Sequence, residues 1–300
     1  MLHKSEILLA YLNSYLNQLN PKNYVLSIYR NYVAYRNFIK VILYKILNRF
    51  PIEAVLKDGK RIVLDNRVIA FYYTVFYTKS KNLEINDSFI EFEYNGKNVR
   101  FYGWKYGDLT STFVVGDYNF LNVEGKVVVD IGASIGDTPI YFALRGAKKV
   151  IAFEPFPKTF ELAKKNVEEN GLQDKITLVF AGCGYDGKVR VREDIETGTR
   201  TQLIDQGTGI EVPVYSLNTI VKMFNIEDAV LKVDCEGCEY ELFKTATDET
   251  LSKFKQIVIE YHYGYKELVN RLKSANFKVK RSIPRRTKRG MILGYIFAWR

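Results

Sequence analysis

The chain has 300 residues, of which 47% are hydrophobic and 26% are charged, and its formal net charge is +10. These values are ordinary for a globular protein with one large domain, or with one domain and a smaller companion. Three cysteines are too few for a disulfide framework, the start lacks a signal-peptide layout, and the longest apolar runs cannot span a bilayer. The composition therefore argues against a secreted disulfide scaffold or an integral membrane protein, and it predicts a cytoplasmic location.

The positive charge is concentrated at the two ends of the chain. Residues 271–300 carry ten Lys/Arg and no Asp/Glu, and residues 1–50 carry seven Lys/Arg and one Glu, so the segment between them is net acidic. Basic ends suit an anionic partner such as nucleic acid, a lipid surface or a phosphorylated glycan, but they serve solubility equally well. Charge alone leaves these alternatives open.

Residues 1–50 have a helical pattern. Within the stretch 31–50, four basic residues share roughly one helical face, with apolar residues on the others: Arg36, Lys40, Lys45 and Arg49. Such a basic amphipathic helix can lie on a membrane, although it more often packs against its own domain. Peripheral membrane contact through residues 31–50 is therefore one of two interpretations.

Short alternating runs follow in residues 51–115. Asp58-Gly59 and Asn95-Gly96 lie between such runs, and both dipeptides are typical of hairpin turns. We therefore predict that residues 1–115 form a helical and β-containing extension or cap.

From about residue 116 the pattern changes to alternating strands and helices. Seven strands are predicted, at residues 126–133, 149–155, 175–182, 229–235, 256–262, 277–283 and 291–299. Short helical crossovers between the first three predict a parallel, right-handedly wound sheet. The last two are close in sequence, which indicates an antiparallel pair. The prediction is an α/β domain over residues 116–300 with a mostly parallel, doubly wound sheet.

The most informative stretch is "VVVDIGASIGD" at residues 127–137. Asp130 ends a buried strand, and Gly132 and Gly136 lie in the turn that leads into a helix. Glycines in such a turn let the backbone approach a ligand closely. The spacing differs from the Gly-x-Gly-x-x-Gly of dinucleotide sites. An acid in the turn would repel a pyrophosphate, but it suits a ligand with an ammonium group, such as S-adenosylmethionine.

A second acid follows the next strand. Glu154 comes 24 residues after Asp130, at the end of the second predicted strand. In doubly wound sheets an acid at this position can accept hydrogen bonds from ribose hydroxyls. The two acids, with the glycines between them, therefore predict a nucleoside-containing ligand in the crevice.

These motifs together resemble the FkbM-type methyltransferases, a class I family that depends on S-adenosylmethionine. The matching segments, in the family's order, are "VVVDIGASIGDTPIYFALRGAKKVIAFEP", "AGCGYDG", "LKVDCEGCEYELF" and "IVIEYH". The resemblance covers roughly residues 116–300 and implies a seven-stranded, Rossmann-like sheet. It also implies S-adenosylmethionine as the cofactor and, in most members, O-methylation of a sugar, lipid or natural product.

The cofactor-binding residues follow from the strand ends and from this resemblance. They are Asp130, Gly132, Ala133, Gly136, Asp137, Glu154, Ala181, Gly182 and Asp234. The resemblance implies that the adenine lies near Ala181 and Gly182.

Catalytic candidates must lie at the carboxyl ends of the strands beside the cofactor. The fourth strand supplies Asp234 and Glu236, and the fifth supplies Glu260 and His262. The cofactor already activates the methyl carbon, so the protein mainly binds and aligns, and a nearby base helps a hydroxyl acceptor. We expect Asp234 to border the cofactor and orient the acceptor. His262 could be the base, although a hydrogen-bonded structural histidine is the alternative.

Cys235 and Cys238 have the Cys-x-x-Cys spacing of half a zinc site. The other candidate ligands are Cys183 and His262, and Cys183 follows a strand three positions away in the usual order of such sheets. No metal is therefore predicted, and a disulfide between Cys235 and Cys238 remains open.

Three functions remain. The first is O-methylation of a hydroxyl on a small molecule, glycan or lipid. In that interpretation the polar loop inside residues 188–220 forms a lid, with Arg200 and Thr201 reaching the acceptor. The second is methylation of nucleic acid, such as RNA, with the basic segment 281–290 as the contact. The third is a non-catalytic binding protein associated with a membrane or a polymer.

Overall fold

A computed structural model of the chain describes residues 21–80, 82–192, 207–287 and 290–300. The helices there are α1 (Pro21–Ala34), α2 (Phe38–Ile46), α3 (Arg67–Phe76), α4 (Asp137–Leu144), α5 (Pro157–Glu169), α6 (Leu217–Met223), α7 (Cys238–Thr245), α8 (Asp248–Ser252) and α9 (Lys266–Ser274). A 3-10 turn at Trp104–Tyr106 and a π-helical turn at Thr110–Val115 lie between α3 and α4.

The turn at residues 132–136, which contains Gly132 and Gly136, is called the glycine loop. The strands before it are β1 (Ile52–Val55), β2 (Arg61–Leu64), β3 (Glu84–Ile85), β4 (Phe89–Tyr94), β5 (Lys97–Tyr102) and β6 (Val127–Ile131). Those after it are β7 (Lys149–Phe153), β8 (Ile176–Val179), β9 (Gly182–Cys183), β10 (Gly187–Val191), β11 (Ile210–Tyr215), β12 (Ala229–Val233), β13 (Phe254–Tyr261), β14 (Lys278–Arg281), β15 (Arg285–Arg286) and β16 (Ile292–Trp299).

The central sheet has the strand order β8–β7–β6–β12–β13–β16–β14, and the two-residue β15 pairs with β16. Strands β8, β7, β6, β12 and β13 are parallel, whereas β16 is antiparallel to both β13 and β14. The predicted α/β fold, with its mostly parallel sheet and antiparallel closing pair, is confirmed. Successive strands are added outward from β6 on one side and from β12 on the other, so the strand order reverses between these two strands. In sheets of this type ligands bind at that reversal, beyond the carboxyl ends of the strands.

Side chains of the central strands alternate between two hydrophobic cores. Val128 and Val230 face the core that contains residues of α4 and α5, whereas Val129 and Leu231 face the core beneath α6 to α9. Both faces of the sheet are therefore covered, which explains why these strands read as continuous apolar runs.

The N-terminal extension packs on the α4 and α5 side of the sheet. Phe92, Phe101 and Trp104 belong to the same buried cluster as Val128. The Asn166 side chain accepts a hydrogen bond from Tyr102 N at 2.7 Å and donates to Tyr102 O at 3.1 Å, which fixes β5 to α5. The division at residue 115 stays a prediction, and the two parts share one core.

Both hairpins expected in the extension are present. Strands β1 and β2 pair antiparallel around the turn at Asp58-Gly59, and β4 and β5 pair antiparallel around Asn95-Gly96. In each case a glycine with positive φ turns the chain.

A continuous helix over residues 31–50 is not formed, so that prediction is wrong. The chain leaves α1 at Ala34, and Tyr35 forms an isolated β-bridge with Leu56 before α2 begins. The Asn37 side chain also accepts a hydrogen bond from Val55 N at 3.0 Å. Tertiary contacts to β1 thus override the helical pattern.

The expected single basic face is interrupted as well. Lys45 turns inward and donates to Thr74 Oγ1 at 2.7 Å. The exposed face of α2 is instead apolar, with Ile39, Leu43 and Ile46. Within the described ranges, no helix has the length and apolar character that crossing a membrane requires. Peripheral membrane contact stays a prediction.

A small β-insertion follows the third parallel strand, in the segment that contains the expected lid. Strands β10 and β11 pair antiparallel, and β11 joins β9 in a small separate sheet. Arg200 and Thr201, the proposed lid contacts, lie outside the described residues.

Candidate active site

The glycine loop after β6 touches the end of β12. Gly132 has φ +86°, and a Cβ at this position would lie 1.8 Å from the carbonyl oxygen of Asp234. The Asp234 amide donates to Ile131 O at 3.0 Å. Only glycine fits this close approach, and it brings two of the predicted site residues into contact.

A buried ion pair lies beneath the loop. Lys232 on β12 stands opposite Asp130 on β6, and its Nζ lies 3.0 Å from Asp130 Oδ1. The same Nζ donates to Gly132 O at 2.6 Å, and Thr138 donates to Asp130 Oδ2 at 2.6 Å. Asp130 Oδ2 thus accepts a hydrogen bond, whereas Oδ1 contacts Lys232 only as an ion pair and has no hydrogen-bond partner among the described residues. Asp130 positions the loop, and its predicted direct contact with the cofactor stays a prediction.

Both members of the pair are fully buried. Burial raises the pKa of Asp130, and Lys232 offsets part of this effect. For Lys232, burial alone would lower the pKa, but Asp130 and Asp234 outweigh it and raise the value. The lysine is charged at neutral pH. The motif "LKVDCEGCEYELF" contains Lys232, but the sequence does not indicate its ion pair with Asp130.

Glu154 closes the other side of the crevice, at the end of β7. Its carboxylate accepts hydrogen bonds from Ser134 N at 2.8 Å, Phe156 N at 3.1 Å and Thr159 Oγ1 at 2.7 Å. A carboxylate has roughly four lone-pair positions, so one remains for a ribose hydroxyl. Burial raises the pKa of Glu154 to about 7.

The start of α4 carries three more predicted residues. Ala133 is fully buried, and Gly136, with φ +87°, precedes the first turn of the helix. Asp137 begins that turn, accepts a hydrogen bond from Thr112 Oγ1 at 3.2 Å, and has a pKa raised to about 7, chiefly by burial. The turn from β6 into α4 thus places its backbone and the Asp137 carboxyl group beside the crevice.

Ala181 and Gly182 follow β8 on the far side of the crevice, and both are buried. Gly182 pairs with Val214 in the small sheet. The two residues lie at the carboxyl end of β8, next to β7 in the sheet, as the strand order predicts. Adenine contact at these two residues stays a prediction.

Together these residues fit S-adenosylmethionine. Glu154 retains a lone-pair position for a ribose hydroxyl, Gly132 and Gly136 shape a narrow turn, and an acidic crevice suits the ammonium and sulfonium groups.

The four predicted catalytic residues converge at the ends of β12 and β13. His262 Nε2 lies 3.4 Å from Glu236 Oε2 and 3.8 Å from Asp234 Oδ1. The side chains of Asp234 and Glu236 are 26% and 17% exposed, whereas that of His262 is 3% exposed. Two accessible carboxylates therefore border a buried imidazole.

Glu239, which the sequence analysis did not place in the site, holds the histidine ring. Its buried Oε1 lies 3.1 Å from His262 Nδ1 and accepts a hydrogen bond from the His262 amide at 3.1 Å. Burial opposes protonation of His262, but Glu239, Asp234 and Glu236 outweigh it and raise the pKa to about 10. An imidazolium, with protons on both ring nitrogens, cannot act as the base. This argues for His262 as a hydrogen-bonded structural histidine.

Replacing His262 with glutamine is expected to flatten the dependence of folding stability on pH between about pH 6.5 and 10. The folded-state pKa is raised above its ordinary value of 6.5, so proton binding stabilises the fold fully below that value. This stabilisation is lost as pH rises through 10. Urea unfolding in chelator-containing buffer at several pH values measures the slope, and an unchanged slope in the variant would contradict the assignment.

The loop before β6 and strand β16 complete the site with residues that lie outside the sequence motifs. The Tyr118 hydroxyl donates to Asp234 Oδ2 at 3.1 Å. The Tyr295 hydroxyl lies 2.9 Å from both Glu260 Oε2 and Asp117 Oδ2. Burial, reinforced by Asp234, raises the pKa of Glu260 to about 8. Sequence offered no signal for these tyrosines, because they are brought in by tertiary packing.

Cys235 and Cys238 form a disulfide with a Cα–Cα distance of 5.5 Å, and Cys183 is buried and outside any disulfide. The disulfide, which the sequence left open, thus closes the turn that carries Glu236. A zinc site of three cysteines and His262 is not assembled by these residues.

Comparison with known proteins identifies the family. The Methyltransferase FkbM domain matches residues 130–279, which is half of the chain. The ribosomal protein L11 methyltransferase of Carboxydothermus hydrogenoformans is 44% identical over 55 residues, 18% of each chain. Uncharacterized protein 158B of Sulfolobus islandicus rod-shaped virus 1 is 27% identical over 146 residues, 48% of this chain and 66% of the relative. The chain thus matches less than two thirds of the length of either relative.

Among solved structures, M. jannaschii TYW2 in complex with AdoMet aligns with 72% of this chain and 87% of its own, at 16% identity and a TM-score of 0.41. The strand order and the family match carry the assignment. The chain belongs to the FkbM family of S-adenosylmethionine-dependent methyltransferases.

Proposed function

We propose that this methyltransferase methylates a hydroxyl oxygen of a small molecule, sugar, glycan or lipid. The observation that carries the proposal is the pair of accessible carboxylates, Asp234 and Glu236, beside the glycine loop. Carboxylates at this place suit an acceptor whose proton must be removed during transfer. Gly132 brings the Asp234 backbone against the loop, which supports placing the acceptor beside the cofactor.

S-adenosylmethionine supplies a methyl group that is already activated for displacement. An acceptor oxygen that takes this methyl group from the sulfonium would lose its proton to Asp234 or Glu236. Tyr118 orients Asp234 through its hydrogen bond. Glu260, whose pKa is raised to about 8, keeps its proton at neutral pH. Together with Tyr295, to which it is hydrogen-bonded, it forms one side of the acceptor site.

Methylation of RNA is the second candidate. Arg285 and Arg286 of the basic segment are exposed on β15. Exposed arginines suit phosphate contacts, and such binding would weaken steeply with salt. Against it stands the acidic character of the crevice around Asp234, which repels a polyanion.

A labelling experiment tests both candidates. The purified protein, S-adenosylmethionine with a labelled methyl group, and fractionated extract of the source organism are incubated together. We expect label in a nuclease-resistant ether, and we expect Asp234→Asn to reduce its rate by about 10²–10⁴-fold, as for loss of a general base. Calorimetric titration with S-adenosylmethionine separates loss of the base from loss of cofactor binding in that variant.

Glu241→Gln is the matched control, since Glu241 lies on α7 and pairs with Lys244 outside the cluster. Label in nuclease-sensitive material would favour the RNA candidate. Label at nitrogen, or full activity of both Asp234→Asn and Glu236→Gln, would overturn the proposed hydroxyl chemistry.

A further inference from the structure

Three side chains at the ends of β12 and β13 have the ligand types and spacing of a divalent cation site. One ligand atom each from Asp234, Glu236 and His262 lies within 4.8 Å of the other two. Two ligands at about 2.1 Å from one ion are roughly 3.0–3.4 Å apart, depending on octahedral or tetrahedral angles. The 3.4 and 3.8 Å separations from His262 Nε2 therefore need only small side-chain rotations to enclose an ion.

The histidine is oriented as metal-binding histidines are. Glu239 is fully buried, and its Oε1 engages His262 Nδ1, which turns Nε2 toward Asp234 and Glu236. Glu239 Oε2 is itself fixed by Gly237 N at 2.8 Å. A carboxylate that holds the second ring nitrogen is the usual outer partner of a metal-bound histidine. This independent feature distinguishes the cluster from a group of surface acids.

The backbone also holds the cluster in an uncommon conformation. Glu236 has φ +56°, in the left-handed region that residues other than glycine rarely occupy, and the Cys235–Cys238 disulfide closes the same turn. Strain of this kind persists where the surrounding structure fixes it, often at ligand sites. The turn thus places the Glu236 carboxylate against His262.

We propose that Asp234, Glu236 and His262 bind one divalent cation, which replaces the proton on His262 Nε2. The ion belongs to the class that accepts both carboxylate and imidazole, with Mn²⁺ as its representative. Carboxylates suit Mg²⁺ and Mn²⁺, and imidazole suits transition metals, so Mn²⁺ satisfies the whole set. Three protein ligands leave coordination positions open for water or for the acceptor. No metal was predicted from the sequence, because Cys183 follows a strand too distant to complete a four-ligand site with Cys235, Cys238 and His262.

The cation would extend the proposed hydroxyl chemistry, and to that extent the inference rests on it. A metal-bound hydroxyl loses its proton more readily than a free one, so the acceptor oxygen would become a better nucleophile. The ion would also offset the negative charge that Asp234, Glu236 and Glu239 concentrate at this edge of the sheet.

Manganese binding is measured directly, without an acceptor. Protein freed of metal with a chelator is titrated with MnCl₂, and free Mn²⁺ is followed by electron paramagnetic resonance. We expect one bound ion per chain in the wild type. We expect Asp234→Asn and Glu236→Gln to remove this binding, and Glu239→Gln, which keeps all three ligands, to weaken it by about 10–100-fold.

Glu241→Gln is again the control and should bind Mn²⁺ like the wild type, since Glu241 lies on the same helix as Glu239 but faces Lys244. Circular dichroism confirms that each variant is folded. Absence of Mn²⁺, Mg²⁺ and Zn²⁺ binding at millimolar concentration, or binding that survives both carboxylate substitutions, would overturn the inference.

Calorimetric titration with S-adenosylmethionine separates this inference from the proposed function. If the protein binds the cofactor and methylates hydroxyls but does not bind metal, only the cation site is contradicted. Metal binding with transfer only to nitrogen or RNA would sink the hydroxyl chemistry alone.

Discussion

Replacing Gly132 with alanine is expected to abolish S-adenosylmethionine binding. The added Cβ would lie 1.8 Å from Asp234 O. This oxygen belongs to the backbone, so no side-chain rotation can relieve the clash. The substitution therefore forces the glycine loop away from β12 and opens the crevice. Calorimetric titration with S-adenosylmethionine measures the loss, and urea unfolding measures the accompanying fall in stability.

Gly171→Ala is the matched control for this prediction. Gly171 also has a positive φ, +63°, but nothing lies within 4 Å of a Cβ placed there. Both variants carry the backbone cost of about 1–2 kcal/mol, and the Gly132 variant adds about 1–3 kcal/mol or more from overpacking. Equal stability losses, or unchanged cofactor binding in Gly132→Ala, would show that the close approach has no functional role.

Replacing Lys232 with methionine is expected to destabilise the protein by about 3–5 kcal/mol, the usual effect of breaking a buried ion pair. Methionine fills a similar volume but leaves the Asp130 carboxylate without its counter-charge and Gly132 O without its donor. Cofactor binding should weaken along with stability, because the loop loses its anchor. Urea unfolding and calorimetry measure the two effects.

The double variant Lys232→Met/Asp130→Asn makes this test sharper. Removing both charges should recover most of the lost stability, because no buried charge remains uncompensated. Cofactor binding should stay weak, since Gly132 O still lacks its donor. Lys188→Met, which breaks the exposed pair with Glu211, is the control and should change stability far less. Additive losses in the double variant would contradict the coupling.

The sheet could be predicted because each of its parallel strands has a local sequence pattern. Apolar runs such as that of β6, each followed by a helix, indicate parallel strands buried on both faces. The site acids Asp130, Glu154 and Asp234 end such runs, so their convergence at one edge follows from the topology.

Other parts of the site depend on contacts that sequence spacing does not encode. The pairing of Lys232 with Asp130 requires the register between β12 and β6, two strands that are 102 residues apart along the chain. Tyr118 comes from the loop before β6 and Tyr295 from β16, and both reach the acids only through tertiary packing. The break between α1 and α2 likewise arises from the bridge between Tyr35 and Leu56.

The shared core of the extension and the sheet has an evolutionary consequence. Residues such as Phe92 and Trp104 cover the same face as Val128, and the following loop delivers Tyr118 to Asp234. A lineage that changes its methyl acceptor by remodelling this extension must therefore preserve its apolar underside. If this extension contributes to acceptor choice, selection for new substrates and selection for folding act on the same segment.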